Sequence, residues 1–238
     1  MPKLIDCIEA IAFDLDGTLI NTAPDLGAAA NMMLMILGGR PLLEQRIPAL
    51  IGAGIDQFVK RVLTESSDTA PTQALQTTAA TLFRELYGQR LFVRSRVYAG
   101  VAEALRVLDD RDITMCCVTN KESQFALPLL EAAGLSAQIS FTLCADRASD
   151  RKPSPNLLLA AGACMGIEPS KILCVGDSRA DIVAARAAGC RIVAVDYGYH
   201  HDQPLAELQP DGIVSNVMEL IDLSVRPQNG TRTLRAIA

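Results

Sequence analysis

The stretch Phe13-Asp14-Leu15-Asp16-Gly17-Thr18-Leu19 follows a short, mostly apolar run, Ile8 to Phe13, that is bounded by charge. A run of this kind is typical of a buried parallel strand. Asp14 comes directly after the run and Asp16 two positions later, and alternate residues of a strand point to the same face. We therefore expect both carboxylates in one crevice at the carboxyl edge of a sheet, where open α/β sheets bind ligands.

Two carboxylates this close repel each other unless a cation or a shared proton compensates their charge. The simplest cation is Mg2+, which prefers oxygen ligands and usually keeps waters and substrate phosphate in its shell. An acidic turn after a strand also explains an Asp-x-Asp pair on its own, because short motifs often match by chance. The full string from Asp14 to Leu19 after a buried strand is much less common, and it favours a magnesium site at Asp14 and Asp16.

The composition is that of a globular protein with a large core. The chain has 238 residues, 50% hydrophobic and 21% charged, which suits one large domain or one domain with an insertion. A net charge of -5 gives no support for nucleic-acid binding, and no apolar run is long enough to span a membrane. The N-terminus lacks a signal peptide's apolar stretch, and seven cysteines without a C-x-x-C pair indicate a reduced, cytoplasmic protein. The adjacent His200 and His201 lack the partners of a zinc site.

The pattern of helices and strands divides the chain into two parts. Residues 21–92 have helical patterns that end at glycines, and they show no strand pattern. After Val97, helices alternate with short apolar strands, which predicts a parallel sheet with right-handed crossovers. We predict an α/β core formed by residues 1–20 and 93–225, an inserted all-helical cap over 21–92, and a polar tail over 226–238.

Polar residues also follow the second predicted strand, residues 113–118. The hydroxyl of Thr119 and the amide of Asn120 are suited to bind phosphate oxygens. Thr119 followed by Glu122 is at the same time a capping box, which begins a helix. The two roles are compatible.

Two later loops carry charged residues. Lys152 lies beside two prolines that stiffen its loop and hold one ammonium in place, although a single loop lysine is normally just solvated. Asp177 and Asp181 lie across a turn and the first turn of a predicted helix. Capping of that helix by Asp177 or Ser178 is the simpler explanation, and helix N-termini also favour phosphate.

Taken together, these groups are what phosphoryl transfer needs at one sheet edge. Asp14 can attack phosphorus in line, while Mg2+ and Lys152 neutralise the phosphoryl oxygens. Asp16 can protonate the leaving oxygen and then deprotonate the water that hydrolyses the aspartyl-phosphate.

The chain resembles the haloacid-dehalogenase superfamily of phosphatases in four motifs that occur in order. They are Asp14-Leu-Asp16-Gly-Thr-Leu, Val118-Thr119-Asn120, Lys152-Pro153-Ser-Pro155 and Gly176-Asp177-Ser-Arg-Ala-Asp181. From about residue 10 to about residue 220 it is similar, more narrowly, to the bacterial phosphoglycolate phosphatases. That similarity rests on Asn21 to Leu26, Ile51-Gly52-Ala53-Gly54, Ala184 to Cys190 and Tyr197-Gly198-Tyr199.

The resemblance implies a Rossmann-like parallel-sheet core with an inserted, mobile helical cap. It implies that Asp14 is the nucleophile and a Mg2+ ligand, and that Asp16 is the acid/base and binds Mg2+ through its backbone carbonyl. Asp177 would be a further Mg2+ ligand, and Asp181 would assist Asp177 or orient Lys152. The phosphate would be held by Thr119, the Asn120 amide and Lys152.

The favoured function is a Mg2+-dependent phosphatase for a small phosphomonoester, first of all 2-phosphoglycolate. The alternatives are a phosphatase for another small metabolite such as a sugar phosphate, and a phosphosugar mutase on the same core. A dehalogenase is disfavoured because carbon–halogen displacement does not need Asp16, and a binding module would lack the reactive residues. Arg46, Lys60 and Arg61 are candidate partners for a substrate carboxylate, although a solvated helix face also explains each. The sequence carries no signal for an oligomeric state.

Overall fold

A computed structural model describes residues 8–67, 69–199 and 204–222. The predicted tail over 226–238 and the pair His200 and His201 lie outside the described residues. No helix in the described part of the chain has the length and apolar character needed to cross a bilayer.

The helices and strands follow one another largely as the sequence predicts. The strands are β1 (Ala10–Phe13), β2 (Ile20–Asn21), β3 (Arg96–Val97), β4 (Thr114–Thr119), β5 (Phe141–Cys144), β6 (Ile172–Gly176), β7 (Arg191–Val195) and β8 (Gly212–Val214). The helices are α1 (Ala23–Ile36), α2 (Ile55–Ser67), α3 (Gln73–Gly88), α4 (Val101–Asp109), α5 (Ser123–Ala132), α6 (Asn156–Met165), α7 (Arg179–Ala188) and α8 (Glu219–Asp222). The short helix α8 was not predicted.

Six strands form one sheet in the order β5-β4-β1-β6-β7-β8, and each neighbouring pair is parallel. The prediction of an α/β fold with a parallel sheet is confirmed. β1 lies in the middle, where Phe13 is opposite Cys117 of β4 and Val175 of β6. The carboxyl ends of these three strands therefore meet at one edge, and the loops that follow them share a crevice.

The two faces of the sheet are covered by different helices because side chains alternate along each strand. Ile11 and Phe13 of β1 belong to a buried cluster with α4 and α5. Ala12 belongs to a second cluster with α6 and α7. Burial on both faces explains why the strands are almost continuously apolar in sequence.

The helices α1, α2 and α3 share a third buried cluster. Phe58 of α2 packs against Phe83 of α3 with ring centroids 5.3 Å apart, and Tyr87 of α3 packs at 5.2 Å against Phe125 of α5. This aromatic row continues from the helical segment into the sheet-bearing part. The expected assignment of 21–92 as a separate cap domain stays a prediction.

The helical segment joins the sheet-bearing part through a small ribbon. Strands β2 and β3 pair antiparallel, with Ile20 opposite Val97 and Asn21 opposite Arg96. The expectation of no strand from residue 21 onward is therefore wrong at Asn21, because two paired residues are too few to produce an alternating pattern.

A buried carboxylate also stabilises the connection between the helical segment and the sheet-bearing part. Asp25, in the first turn of α1, is fully buried. It accepts hydrogen bonds from the backbone of Arg94 at 2.8 Å, the backbone of Ser95 at 2.8 Å and the hydroxyl of Ser95 at 2.6 Å. Three donors from residues 94–95, directly before β3, thus depend on one side chain at the start of α1.

We expect Asp25→Ala to lower the free energy of unfolding by about 2–4 kcal/mol, because it leaves these donors without an acceptor. Asp25→Asn keeps one acceptor oxygen and should lose less. Urea unfolding measures both. Glu44→Gln is the control, since it breaks only the exposed ion pair with Arg94, and exposed pairs contribute little. Equal stability of Asp25→Ala and the wild type would contradict this role.

Candidate active site

The polar residues predicted from the sequence line one cavity between the sheet edge and the helical segment. Asp14 and Asp16 follow β1, Thr119 ends β4, and Asp177 follows β6. Lys152 reaches the same cavity from the loop after β5. The central position of β1 explains this convergence, since its neighbours on both sides end beside it.

Lys152 is the centre of the buried hydrogen-bond network. Its Nζ donates to Asp14 Oδ1 at 2.6 Å, to Asp181 Oδ1 at 2.6 Å and to the carbonyl of Val118 at 2.8 Å. Burial alone would lower the pKa of Lys152, but the two carboxylates raise it above its usual value. The ammonium therefore stays charged, and its three N–H groups all have acceptors.

Asp14, Asp177 and Asp181 form an acidic cluster whose ligand oxygens lie within 4.8 Å of one another. The pKa of Asp14 is raised to about 7, because burial and the neighbouring carboxylate of Asp181 raise it by more than Lys152 lowers it. Burial, followed by Asp181 and Asp14, raises the pKa of Asp177 well above its usual value. Three carboxylates meet here, Asp177 and Asp181 buried and Asp14 partly exposed, while one ammonium contacts only Asp14 and Asp181. The donor set therefore fits a hard divalent cation such as Mg2+.

Asp177 is fixed by the loops around it. The backbone N–H of Tyr199 donates to its Oδ2, and the Thr18 hydroxyl lies 3.4 Å from its Oδ1. Gly17 has a φ of +89° and approaches Asp177 so closely that an added Cβ would collide with its Oδ2. The glycine in the predicted motif thus provides both the positive φ and the space for the carboxylate.

Asp181 is held in a capping box at the start of α7. Its Oδ2 accepts from the backbone N–H of Ser178 at 3.1 Å and from the Ser178 hydroxyl. Its Oδ1 accepts from Lys152. Of the two roles expected for Asp181, the observed contact is the one with Lys152. The helix cap predicted here is formed by Ser178 rather than by Asp177.

Asp16 lines the cavity but lies outside the acidic cluster. Its carboxylate accepts from Lys121 Nζ at 2.9 and 3.1 Å and from the Thr22 hydroxyl at 2.6 Å. The predicted metal set Asp14, Asp16 and Asp177 thus differs from the observed carboxylate cluster, in which Asp181 takes the third place. The predicted contact of Asp16 with Mg2+ uses its backbone carbonyl and stays a prediction.

Lys121 and Thr22 were missed by the sequence analysis. Lys121 directly follows Thr119 and Asn120, yet a single lysine near a helix start carries no signal of burial. Thr22 lies in the short segment between β2 and α1. Only the fold shows that both side chains reach Asp16.

Thr119 and Asn120 have divided roles. The Thr119 hydroxyl accepts from the backbone N–H of Lys121 at 3.2 Å, which leaves its own hydrogen available for a ligand. The capping box predicted with Glu122 is wrong, because Glu122 itself is the N-cap of α5 and makes no side-chain cap bond. The Asn120 side chain accepts from Lys152 N at 2.7 Å and donates to its carbonyl at 3.0 Å. Asn120 therefore orients the lysine loop.

The helical segment contributes apolar side chains and glycines to the cavity wall. They are Leu26, Ile51, Gly52, Gly54, Ile55 and Phe58. None of the three expected carboxylate partners lines the cavity. Arg46 pairs with Glu65 at 2.8 Å, Arg61 donates to the carbonyl of Leu50 at 3.1 Å, and Lys60 is exposed.

A family model described as a hydrolase, haloacid dehalogenase-like hydrolase, matches residues 8–189. The chain belongs to this family. Among similar proteins, a phosphoglycolate phosphatase of Thiobacillus denitrificans is 41% identical, covering 89% of this chain and 93% of the relative. A phosphoglycolate phosphatase of Nitrosospira multiformis is 43% identical, covering 91% of this chain and 95% of the relative.

The fold comparison gives the same family. The crystal structure of a predicted phosphoglycolate phosphatase from Haemophilus somnus 129PT superposes with a TM-score of 0.85 at 31% identity. The match covers 91% of this chain and 97% of that chain. With the family match and these relatives, the haloacid dehalogenase-like hydrolase described here is a phosphoric monoester hydrolase.

Ion pairs connect the helical segment of the hydrolase to the edge of its cavity. Arg84 of α3 holds Glu122 with a shortest distance of 2.6 Å and Asp56 of α2 at 2.8 Å. Arg151, next to Lys152, reaches Asp56 at 3.3 Å. The Asn120 side chain also donates to the carbonyl of Gly52 at 2.9 Å. The residues before Lys121 and around Lys152 therefore contact the helical segment directly.

Proposed function

We propose that the protein hydrolyses 2-phosphoglycolate to glycolate and phosphate through an aspartyl-phosphate on Asp14. The observation that carries the proposal is identity of 41–43% with relatives named phosphoglycolate phosphatase over about nine tenths of the chain. The arrangement of Asp14, Asp16 and Lys152 around one cavity supports it.

In the first step, Asp14 attacks phosphorus and the bond to the leaving oxygen breaks. The positive charge of Lys152, whose N–H groups have acceptors in the protein, lies beside Asp14 and would offset the charge of the phosphoryl oxygens, while the Thr119 hydroxyl and the backbone amide of Asn120 would donate to them. Mg2+ bound by Asp14, Asp177 and the Asp16 carbonyl would add positive charge beside those oxygens. Asp181 acts through Lys152, whose ammonium it keeps charged and in place.

Asp16 carries the proton in both halves of the reaction. As the phosphorus–oxygen bond breaks, its carboxyl gives a proton to the leaving oxygen and glycolate is formed. The resulting carboxylate then takes a proton from the water that attacks phosphorus, which releases phosphate and restores Asp14. Thr22 and Lys121 hold this carboxylate at the cavity wall.

The helical segment serves as a cap that excludes stray water during attack. It covers the cavity with apolar residues, and it joins the core through the ribbon of β2 and β3. A cap that is joined to the core by only two chain segments can close over a small substrate and open to release the products. The proposed substrate is a small phosphorylated metabolite. The cytoplasmic location predicted from the cysteines is compatible with such a substrate and stays a prediction.

A panel of phosphomonoesters assayed with Mg2+ tests the substrate. We expect kcat/KM for 2-phosphoglycolate to exceed that for phosphopeptides by at least about 100-fold, because a closed apolar cap has no room for a polypeptide. A sugar phosphate hydrolysed faster than 2-phosphoglycolate would contradict the substrate assignment. Dependence on a bisphosphate activator, with transfer to sugar in place of phosphate release, would indicate a mutase.

A further inference from the structure

Lys121 is a buried lysine at the wall of the catalytic cavity. Only 6% of the residue is exposed, and its Nζ contacts both carboxylate oxygens of Asp16. The same Nζ lies 4.8 Å from the centre of the Tyr87 ring, which belongs to α3 of the cap. An ammonium covered in this way is removed from water, so its charge has to be met by anions inside the cavity.

The cavity offers few other cations to a substrate. The N–H groups of Lys152 are taken by Asp14, Asp181 and the Val118 carbonyl. The cap side is apolar. Among the described residues that line the cavity, Lys121 is therefore the one cationic side chain outside the acidic cluster.

We propose that Lys121 binds a carboxylate on the organic part of the substrate and so selects phosphate esters of small 2-hydroxy acids. This inference rests on the proposed function, because it takes Asp16 as the acid that meets the leaving oxygen. In an ester of a 2-hydroxy acid, the carboxylate is attached to the carbon that bears that oxygen. A group bonded to Asp16 therefore lies beside the substrate carboxylate.

Asp16 has a second hydrogen-bond partner that would hold it if Lys121 turned toward the substrate. The Thr22 hydroxyl donates to Asp16 Oδ1 at 2.6 Å independently of Lys121. Thr22 thus anchors Asp16. Lys121 can then share its positive charge between Asp16 and a ligand. Arg84 lies in α3, the cap helix that also carries Tyr87, and it forms an ion pair with Glu122, the residue after Lys121. Lys121 therefore lies where the cap meets the core.

The test compares 2-phosphoglycolate with its carboxamide analogue, which keeps the phosphate but lacks the carboxylate charge. In Lys121→Gln, which can keep a hydrogen bond to Asp16, we expect the ratio of the two kcat/KM values to fall by about 100-fold, the scale of losing one partner of a buried charge pair. The loss should appear mainly in KM for 2-phosphoglycolate. Lys121→Met, which keeps the packing against Tyr87, should behave alike, and Lys121→Arg should restore the preference.

Thr22→Val is the matched control, because it weakens the hold on Asp16 without removing a charge. It should slow both substrates by the same factor and leave the ratio unchanged. Lys121 variants that slow both substrates equally would show that Lys121 only positions Asp16, and would overturn the inference.

The proposed function fails separately, if the wild type does not hydrolyse 2-phosphoglycolate, whereas equal kcat/KM values of the wild type for 2-phosphoglycolate and the carboxamide overturn the inference. Thermal unfolding checks each variant. If neither Lys121→Gln nor Lys121→Met folds, inhibition of the wild type is compared between glycolate and glycolamide. Stronger inhibition by glycolate supports the inference, and equal inhibition overturns it.

Discussion

Replacing Asp14 by asparagine is expected to abolish turnover while the protein stays folded. The amide is nearly isosteric, but it cannot attack phosphorus, so kcat should fall by at least about 10⁴-fold, as when other enzymes lose their nucleophile. Burial and neighbouring carboxylates raise the pKa of Asp14 to about 7, so the charged form is disfavoured in the fold. A neutral asparagine should therefore leave the melting temperature unchanged or raise it.

Asp16→Asn provides the contrast within the same motif. It keeps the nucleophile but removes the base, so phosphoenzyme should accumulate after acid quenching and be visible as added mass on the chain. Asp14→Asn should show no such adduct. Phosphate release by Asp14→Asn near the wild-type rate would rule out the covalent mechanism.

Removal of divalent metal is expected to lower kcat about as strongly as the Asp14→Asn substitution. Chelation by EDTA should eliminate activity and Mg2+ should restore it, because the buried cluster of Asp14, Asp177 and Asp181 needs a cation beside the phosphoryl oxygens. Mg2+ should also raise the melting temperature in a concentration-dependent way, since ligand that binds only the folded state stabilises it. This second readout does not depend on catalysis.

Asp177→Asn tests metal binding without changing the nucleophile. It should raise the Mg2+ concentration needed for half activity by at least about 10-fold and weaken the thermal effect of Mg2+. Thr18→Val is the matched control, because the Thr18 hydroxyl lies 3.4 Å from Asp177 and is not itself a predicted ligand; its effect should be small. Full activity in metal-free buffer, or a requirement for Zn2+ in place of Mg2+, would contradict the site.

Much of the fold could be predicted because its signals are local. The apolar strands before Asp14, Thr119 and Asp177 are short and buried on both faces, and the glycines that end the helices are visible in the sequence. These features determine which side chains meet at the sheet edge. The acidic cluster and Lys152 could be expected for that reason.

The remaining features depend on contacts between distant segments. The pairing of Asn21 with Arg96 involves strands of two residues, which have no measurable periodicity. Lys121 and Thr22 meet Asp16 only after α1 and β4 are placed by the fold. The missing capping box at Thr119 has the same origin, since tertiary contacts of the Thr119–Glu122 segment override its local preference.

The distribution of tyrosines makes the boundary between the helical segment and the sheet-bearing part observable by spectroscopy. The chain has four tyrosines and no tryptophan. Tyr87 of α3 packs on Phe125 of α5 across this boundary. Directly after β3, the ring centroid of Tyr98 lies 4.4 Å from that of Tyr197. The Tyr199 hydroxyl accepts a hydrogen bond from the backbone N–H of Ala23 at the start of α1. If the helical segment opens as the proposed cap, the surroundings of these rings change. Near-ultraviolet circular dichroism and tyrosine fluorescence of the unlabelled enzyme should therefore report cap movement directly.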